Sequence, residues 1–205
     1  CDVVMLDPAA HFDDLWDAFQ TDPSGKSWTY LFVDMPATRE ALRAYLDAQA
    51  KTADPLCHTL IDKSTGRAVG IASFMRIDAN MGVIEVGNIN YSERLKRTAI
   101  ATEVMFLMMK RVFDELGYRR YEWKCDSLNH PSRKAAERYG FVYEGTFRQA
   151  VTYKGRNRDT AWFSMIDKEW PALKRAYEAW LDPANFDAQG AQRRGLADMI
   201  KEAQR

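Results

Sequence analysis

The chain of 205 residues is 46% hydrophobic and 12% aromatic, a composition typical of a folded globular protein and not of a disordered one. Lysine plus arginine and aspartate plus glutamate number 29 each, so charge alone predicts no general attraction to nucleic acid. The 3 cysteines lack metal-ligand spacing and predict reduced thiols in a cytoplasmic protein without a metal centre. No apolar run approaches the ~18 residues of a membrane span, so no membrane contact is expected. Because the chain starts at Cys1 and not at a methionine, the sequence leaves open whether residues precede it.

The first half of the chain predicts two helices followed by a run of strands. Residues 11–20 place apolar side chains at helical spacing, and residues 21–32 predict a turn followed by a short aromatic strand. Thr38 is a candidate N-cap for a second helix. Residues 57–77 predict a strand hairpin, and residues 83–91 predict the next strand.

The second half alternates strands with helices. Its predicted elements are a helix from Ala99 to Leu116 that ends at Gly117, a strand over 119–126, a helix from Pro131 to Gly140, two long strands around the turn 154–157, and a helix over 169–181. The pattern predicts an α/β (α+β) fold in which one mixed, mostly antiparallel central sheet is flanked by helices. We expect one domain over residues 1–181. We expect residues 182–205 to form a helical appendage of that domain, which packs on it or contacts a partner, and a homodimer is left open.

A basic turn leads directly into the predicted long helix. Lys96, Arg97 and Thr98 precede Ala99, and the first N–H groups of a helix have no intrahelical partner. Those groups and the helix dipole attract anions, and such a turn is the usual seat of a pyrophosphate. Thr98 offers a hydroxyl donor as well. A helix N-cap that holds no ligand is the alternative.

The order of elements over residues 84–145 resembles the acetyl-CoA-binding core of the GNAT acyltransferases, in particular their RimJ/RimL-like branch. The resemblance implies a GNAT-like fold and an N-acetyltransferase that moves an acetyl group from acetyl-CoA to a primary amine by direct attack. The family turn has the form Q/R-x-x-G-x-G/A. In this chain Lys96 takes the Gln/Arg place, Ala101 takes the Gly/Ala place, and Ala99 stands where glycine is usual. Because alanine disfavours positive φ, we expect ordinary helical dihedrals in this turn.

The resemblance also implies which residues hold the cosubstrate. The pyrophosphate is expected on the turn and the first helical residues, the pantetheine arm on the preceding strand, and the arm or its thiolate near the N-x-x-S start of the next helix. In this chain these residues are Lys96, Arg97, Thr98, Ala99, Ile100, Ala101 and Thr102, then Ile89, Asn90 and Tyr91, and finally Asn129 and Ser132. For the strand residues beside Gly87, a simple hairpin bulge is the alternative.

Two residues are expected to move protons. Glu85 stands where the family has an acidic strand residue and is the candidate base, directly or through water; a salt-bridged strand glutamate is the alternative. Many relatives place a tyrosine where this chain has Ala136, to protonate the departing thiolate. We expect Tyr139 to point elsewhere and Ser132 to be the substitute donor, with a helix cap as the alternative. Cys125 is expected in the core, with a covalent acetyl-cysteine route as a minor option.

The acceptor side rests on a later segment. Arg156, Arg158 and Asp159 resemble the family's Arg-Asp segment beside the acceptor groove and are expected to recognise a carboxylate or phosphate on the acceptor. A solvated hairpin tip explains Arg156 equally well. The acceptor itself stays open between a protein N-terminus and a small-molecule amine. A catalytically weak acyl-CoA-binding sensor or scaffold of the same fold is the alternative function.

Overall fold

The computed structural model describes residues 1–204. The strands are β1 (Asp2–Met5), β2 (Leu56–Asp62), β3 (Arg67–Asp78), β4 (Val83–Tyr91), β5 (Arg120–Asp126), β6 (Val142–Tyr153) and β7 (Arg156–Ile166). The α-helices are α1 (Pro8–Phe19), α2 (Arg39–Ala50), α3 (Ala99–Lys110), α4 (His130–Arg138), α5 (Trp170–Leu181) and α6 (Leu196–Ala203). Short 3₁₀ segments cover Lys26–Trp28 and Pro183–Asn185, and a π-helical turn at Arg111–Glu115 extends α3.

One sheet holds the strands in the order β1-β2-β3-β4-β5-β7-β6. All neighbours are antiparallel except β4 and β5, which run parallel because α3 carries the chain back across the sheet. The expected mixed, mostly antiparallel sheet flanked by helices is therefore confirmed. The parallel pairing joins Val83–Val86 to Arg120–Trp123 and goes no further within residues 1–204.

Helices cover both faces of the sheet. The larger core packs α3, α4, α5 and α6 against the sheet, around buried residues such as Val104, Tyr121 and Tyr177. The smaller core lies under α1 and α2, around Leu15 and Leu46. Both cores are built from the apolar stripes that helical spacing predicts.

Strand β5 divides its side chains strictly between the two faces. Tyr121, Trp123 and Cys125 pack in the larger core under the helices. The alternate residues, Arg120, Glu122, Lys124 and Asp126, therefore project from the opposite face, since successive side chains of a strand alternate. This face of the sheet is polar although it is largely shielded from solvent.

Residues 21–32 are predicted to form a turn and a strand. The prediction of the strand is wrong, because the segment contains a 3₁₀ turn and no strand. Gly25 takes a left-handed φ of 64°, and a 3₁₀ turn follows it. The carboxylate of Asp22 imposes this path, because it accepts hydrogen bonds from the Ser24 hydroxyl and from both the backbone N–H and the hydroxyl of Ser27. These local bonds compete with strand pairing. Strand β1, short and mostly exposed at the sheet edge, was not predicted.

Several helix boundaries follow the predicted signals. The Thr38 hydroxyl accepts a hydrogen bond from the N–H of Ala41 and caps α2 as expected. Gly117, at a φ of 65°, stands just beyond the π-helical turn. In the C-terminal segment, Leu196 and Ile200 of α6 are buried in the larger core. Within the part of the chain that the structure describes, no helix combines the length and apolarity needed to cross a bilayer.

Candidate active site

A cleft of about 710 Å³ opens where β4 and β5 cease to pair and separate. From the helix side it is lined by residues such as Ser132, Ala135 and Tyr139. On the polar face of the sheet it is lined by residues such as Lys124 and Arg158. A single cleft thus connects the two faces through the gap between the parallel strands.

The wall on the β4 side is shaped by a bulge. The pairing of β4 with β3 shifts between the pairs Ile71–Asn90 and Ser73–Gly87, and Asn88 in the bulge takes a φ of 49°. Asn90 is only 1% exposed, yet neither its side-chain oxygen nor its nitrogen has a hydrogen-bond partner within residues 1–204. An unpaired buried amide costs about 1–3 kcal/mol. Since Asn90 lines the cleft, a polar ligand group there would satisfy it.

The basic turn lies at one end of the cleft, and its backbone differs from the expectation. Arg97 takes a left-handed φ of 63°, and Thr98 is extended, so the expectation of ordinary helical dihedrals throughout the turn is wrong. Ala99 becomes the first residue of α3, which an alanine accepts without strain. The Thr98 hydroxyl accepts from the Ala101 N–H at 3.2 Å and donates to the Leu95 carbonyl at 2.7 Å. It is therefore a cap and not a free donor.

The side chains of the turn are tied to the preceding loop. The Lys96 ammonium donates to the Ser27 hydroxyl at 2.9 Å and to Glu93 at 2.6 Å, whereas the Arg97 side chain is exposed. Burial raises the pKa of Asp22, but hydrogen bonds from Ser24 and Ser27 and the charge of Lys96 hold that pKa well below its usual range. The anionic Asp22 therefore keeps the loop against the turn.

The structure brings most of the predicted site residues together. Those that line the cleft are Glu85, Ile89, Asn90, Tyr91, Lys96, Arg97, Ala101, Asn129, Ser132 and Arg158. The predicted residues outside its lining are Thr98, Ala99, Ile100, Thr102, Arg156 and Asp159. Besides Thr98, which caps α3, three of these have side-chain contacts elsewhere. Arg156 donates to the Thr29 carbonyl and to the Tyr153 hydroxyl. The Thr102 hydroxyl accepts from Arg138, and Asp159 accepts from the N–H of Gln149 at the hairpin.

Glu85 is the centre of a buried ion cluster. Arg76 Nη1 lies 2.8 Å from both of its carboxylate oxygens, and Lys124 Nζ lies 2.8 Å from Oε2. Lys124 also contacts Glu122 at 2.7 Å and lies over the Trp162 ring. The salt-bridged glutamate that the sequence left as an alternative is present, although the Glu85 side chain also borders the cleft.

The ion cluster extends along the polar face to β6. Arg120 donates to Glu122 at 2.6 Å and to both oxygens of Glu144, at 2.8 and 2.6 Å. The Arg120 guanidinium, helped by the Ser164 hydroxyl, lowers the pKa of Glu144 from 4.5 to about 2. This bidentate pair fixes the direction of the Arg120 side chain and so completes the partners of Glu122.

Ser132 is placed by its neighbours. The side-chain oxygen of Asn129 accepts from the Ser132 N–H, so Asn129 caps α4 and the interpretation of Ser132 as the cap is wrong. The Ser132 Oγ accepts a hydrogen bond of 3.0 Å from Trp123 Nε1. Because a hydroxyl donates one hydrogen bond as well as accepting, this contact leaves the Ser132 O–H hydrogen for another partner.

Tyr139 lines the cleft, so the expectation that it points elsewhere is wrong. Ala136, four residues after Ser132, is instead fully buried and lies outside the lining. The reason is helical geometry: seven residues advance about 700°, close to two full turns, so Tyr139 returns to the face of Ser132. The Tyr139 hydroxyl donates to the Ala101 carbonyl over 3.4 Å, and burial raises its pKa.

Trp123, Lys124 and Asp126 also line the cleft and were missed from the sequence. The signal was present, because charged residues fill every alternate position of β5 although the strand lies near the centre of the sheet. Cys125 is 6% exposed and borders the cleft, and burial raises the pKa of its thiol. A thiol in that state is a poor nucleophile.

Comparison with known proteins agrees with this geometry. The family described as "Acetyltransferase (GNAT) domain" matches residues 4–142. The chain belongs to the GNAT acetyltransferase family. A crystal structure of a GCN5-related N-acetyltransferase from Brucella melitensis is similar, with 49% identity and a TM-score of 0.95, covering 97% of this chain and 90% of that one.

Two curated relatives are more distant. The uncharacterized N-acetyltransferase p20 of Bacillus licheniformis is 29% identical over 112 residues, which is 55% of this chain and 62% of that protein. YdaF of Bacillus subtilis strain 168, provisionally named a ribosomal N-acetyltransferase, is 26% identical over 109 residues, 53% of this chain and 59% of that protein. The chain therefore matches only about three fifths of these relatives' length. The identification as a GNAT protein is confirmed, and the YdaF match agrees with the RimJ/RimL-like branch.

The Glu144 pair predicts an acid-dependent loss of stability. Because the pKa of Glu144 is lowered from 4.5 to about 2 on folding, its ion pair stabilises the fold above pH 4.5 and loses this effect as the pH falls toward 2. We expect Glu144→Gln to lower the urea midpoint near neutral pH and to flatten its decline over that acidic range. The effect is small, since the Glu144 side chain is 39% exposed and solvent screens the pair. Equal declines for both proteins would contradict the assignment.

Proposed function

We propose that this protein is an acetyl-CoA-dependent N-acetyltransferase in which a primary amine attacks the thioester directly. The observation that carries the proposal is the cleft that joins a helix N-terminus on one face to a charged acceptor side on the other. Family membership supports the chemistry. The cosubstrate supplies an activated acetyl group, and the chain supplies positioning and proton handling. We propose a cytoplasmic location from the free cysteines, and the reaction needs no metal ion.

The cleft and the helix N-terminus beside it suit the cosubstrate at two places. At the turn, the N–H groups of Arg97, Ala99 and Ile100 remain without partners within residues 1–204, since those of Thr98 and Ala101 are bonded to Leu95 and Thr98. They suit a pyrophosphate, with Lys96 and the Arg97 side chain beside them. Further along, the unpaired amide of Asn90 suits the polar pantetheine arm.

Proline at the first helical position tests the phosphate site. We expect Ala99→Pro to weaken CoA binding about 10-fold, because it deletes one charge-assisted N–H donor while α3 keeps its capping residue. The control is Arg39→Pro, which deletes the N–H at the same position behind the equivalent cap of α2 and also removes an exposed ion pair with Asp13. Calorimetry with CoA measures the affinity, and thermal unfolding checks the fold. If Ala99→Pro is folded and binds CoA with unchanged affinity, the assignment of the phosphate site is contradicted.

We propose that Ser132 donates a hydrogen bond to the departing thiolate. It lines the cleft, and its lone pair is engaged by Trp123, which orients the hydroxyl. The Tyr139 hydroxyl borders the same cleft but is already directed at the Ala101 carbonyl. Hydrogen bonding to developing charge of this kind is worth about 10–100-fold in rate.

Paired substitutions on α4 separate the two hydroxyls. Ser132→Ala should slow the chemical step about 10–100-fold with the KM for acetyl-CoA nearly unchanged. Tyr139→Phe keeps the ring and should leave turnover close to that of the natural protein. Single-turnover thiol release measures both. If Tyr139→Phe were crippling and Ser132→Ala silent, Tyr139 would be the donor.

We propose that Glu85 takes the amine proton through water, because Arg76 and Lys124 occupy its carboxylate directly. Glu85→Gln should then lower turnover most at acidic pH, where the free amine is scarcest. Arg76→Gln is the control, since it loosens the cluster but keeps the carboxylate. Turnover is measured against pH, beside thermal stability. An unchanged shape of the pH profile in Glu85→Gln would leave Glu85 as an ion-pair residue only.

An acyl-CoA-binding sensor or scaffold of the same fold is the second candidate. It is favoured by Ala136, which is buried in the core where many relatives place the proton-donating tyrosine. Thiol release from acetyl-CoA that increases with added amine separates the two, because a sensor binds without turnover. The name of YdaF suggests a ribosomal acceptor. The amines added in this assay therefore include peptides with free N-termini beside small amines.

A further inference from the structure

Arg158 carries a buried charge without a salt-bridge partner in the part of the chain that the structure describes. It is 8% exposed, and its guanidinium donates from Nε to the Thr160 hydroxyl at 3.1 Å. The rings of Phe32 and Tyr153 flank the guanidinium, but within residues 1–204 it forms no salt bridge with a carboxylate. Buried charges are normally paired. Since Arg158 lines the cleft, an anionic group of a ligand there would pair with it.

Asp126 is the complementary group in the same part of the cleft. It is 3% exposed, and each carboxylate oxygen accepts one hydrogen bond, from the Leu128 N–H and from the Tyr153 hydroxyl, both at 2.9 Å. It forms no salt bridge within the described residues. A carboxylate has about four acceptor positions, so Asp126 retains capacity for an N–H donor. Asp126 also lines the cleft.

The register of the sheet brings these two groups together. Asp126 lies opposite Thr160 in the pairing of β5 with β7, and Arg158 is two residues from Thr160 along β7. All three side chains therefore rise from the same face, and Asp126 and Arg158 are diagonal neighbours. The other buried charges near the cleft, Glu85 and Lys124, have salt-bridge partners within the ion cluster.

We propose that the acceptor is a small zwitterion: an amine that also carries a carboxylate or phosphate-type group. Asp126 accepts hydrogen bonds from the amine, and Arg158 binds the anionic oxygens. Phe32, which is 52% exposed at the cleft, offers an apolar surface to the rest of the acceptor. This inference rests on the proposed function, because it specifies the acceptor of that reaction.

Binding of a molecule and of its two halves tests the proposal without turnover. The probes are phenylalanine, phenethylamine, which lacks the carboxylate, and 3-phenylpropanoate, which lacks the amine, each titrated by calorimetry with and without CoA. We expect phenylalanine to bind about 10–100-fold more tightly than either half. The phosphonate analogue of phenylalanine distinguishes a carboxylate preference from a phosphate preference. If phenylalanine and its phosphonate analogue bind no more tightly than their halves, or not at all, the proposal is overturned.

Substitutions assign the two ends. Arg158→Gln should remove the advantage over phenethylamine, and Asp126→Asn should remove the advantage over 3-phenylpropanoate. Arg158→Lys retains the charge and should keep part of the affinity, which covers the case in which Arg158→Gln fails to fold. Arg148→Gln, an exposed change on β6, is the control and should alter nothing. An advantage that survives in folded Arg158→Gln would overturn the assignment. If the natural protein bound no CoA, or released no thiol with any amine, the proposed function itself would be contradicted.

Discussion

The candidate site depends on one feature of the sheet: the pairing between β4 and β5 stops after four residue pairs. Backbone N–H and C=O groups inside a protein require partners, and two central strands that separate leave theirs exposed to whatever fills the gap. Here the pairing stops at Val86 and Trp123, and a bulge at Asn88 turns β4 further away. Every residue that we assign to binding or chemistry borders the space so formed or the helix that begins beside it.

Close packing on the other side of β4 holds this separation in place. A Cβ on Gly70 of β3 would lie 2.8 Å from the Asn90 carbonyl oxygen, which is closer than such atoms approach in proteins. A Cβ on Gly87 would meet the Met75 sulfur. The two glycines therefore let β3 and its side chains approach the bulge. The position of the unpaired Asn90 amide is thus set by backbone packing and not by its own contacts.

Elements with strong periodicity were predictable from the sequence, and so was their assembly into one mixed sheet. The buried ion cluster was less predictable from the sequence. The pairing of Glu85 with Lys124 depends on the parallel register of β4 against β5, which no local pattern specifies. The prediction of a strand within residues 21–32 failed because hydrogen bonds to the Asp22 carboxylate outweigh the strand propensity of the aromatic residues in this segment.

The error at Tyr139 has a different origin. A helical spacing of four residues leads from Ser132 to Ala136, whereas spacings of three and seven lead to Ala135 and Tyr139. Both sets lie near one face, and only the contact of α4 with the sheet decides which set meets the cleft. Sequence alone therefore located the helix and its cap region but not its rotation.

The loop beside the acceptor side is fastened to both ends of the cleft. Ser27 accepts from Lys96 of the basic turn, while Lys154 and Arg156 of the hairpin between β6 and β7 donate to the backbone carbonyls of Trp28 and Thr29. Since Arg156 also donates to the Tyr153 hydroxyl, and that hydroxyl donates to Asp126, the loop shares partners with the proposed amine-binding carboxylate. An anion at the helix N-terminus that attracts the Lys96 ammonium away from Ser27 would weaken one of the contacts that hold the loop. Binding of the cosubstrate at the turn would then influence the acceptor side through this chain of hydrogen bonds, in addition to the direct connection through the gap between the strands.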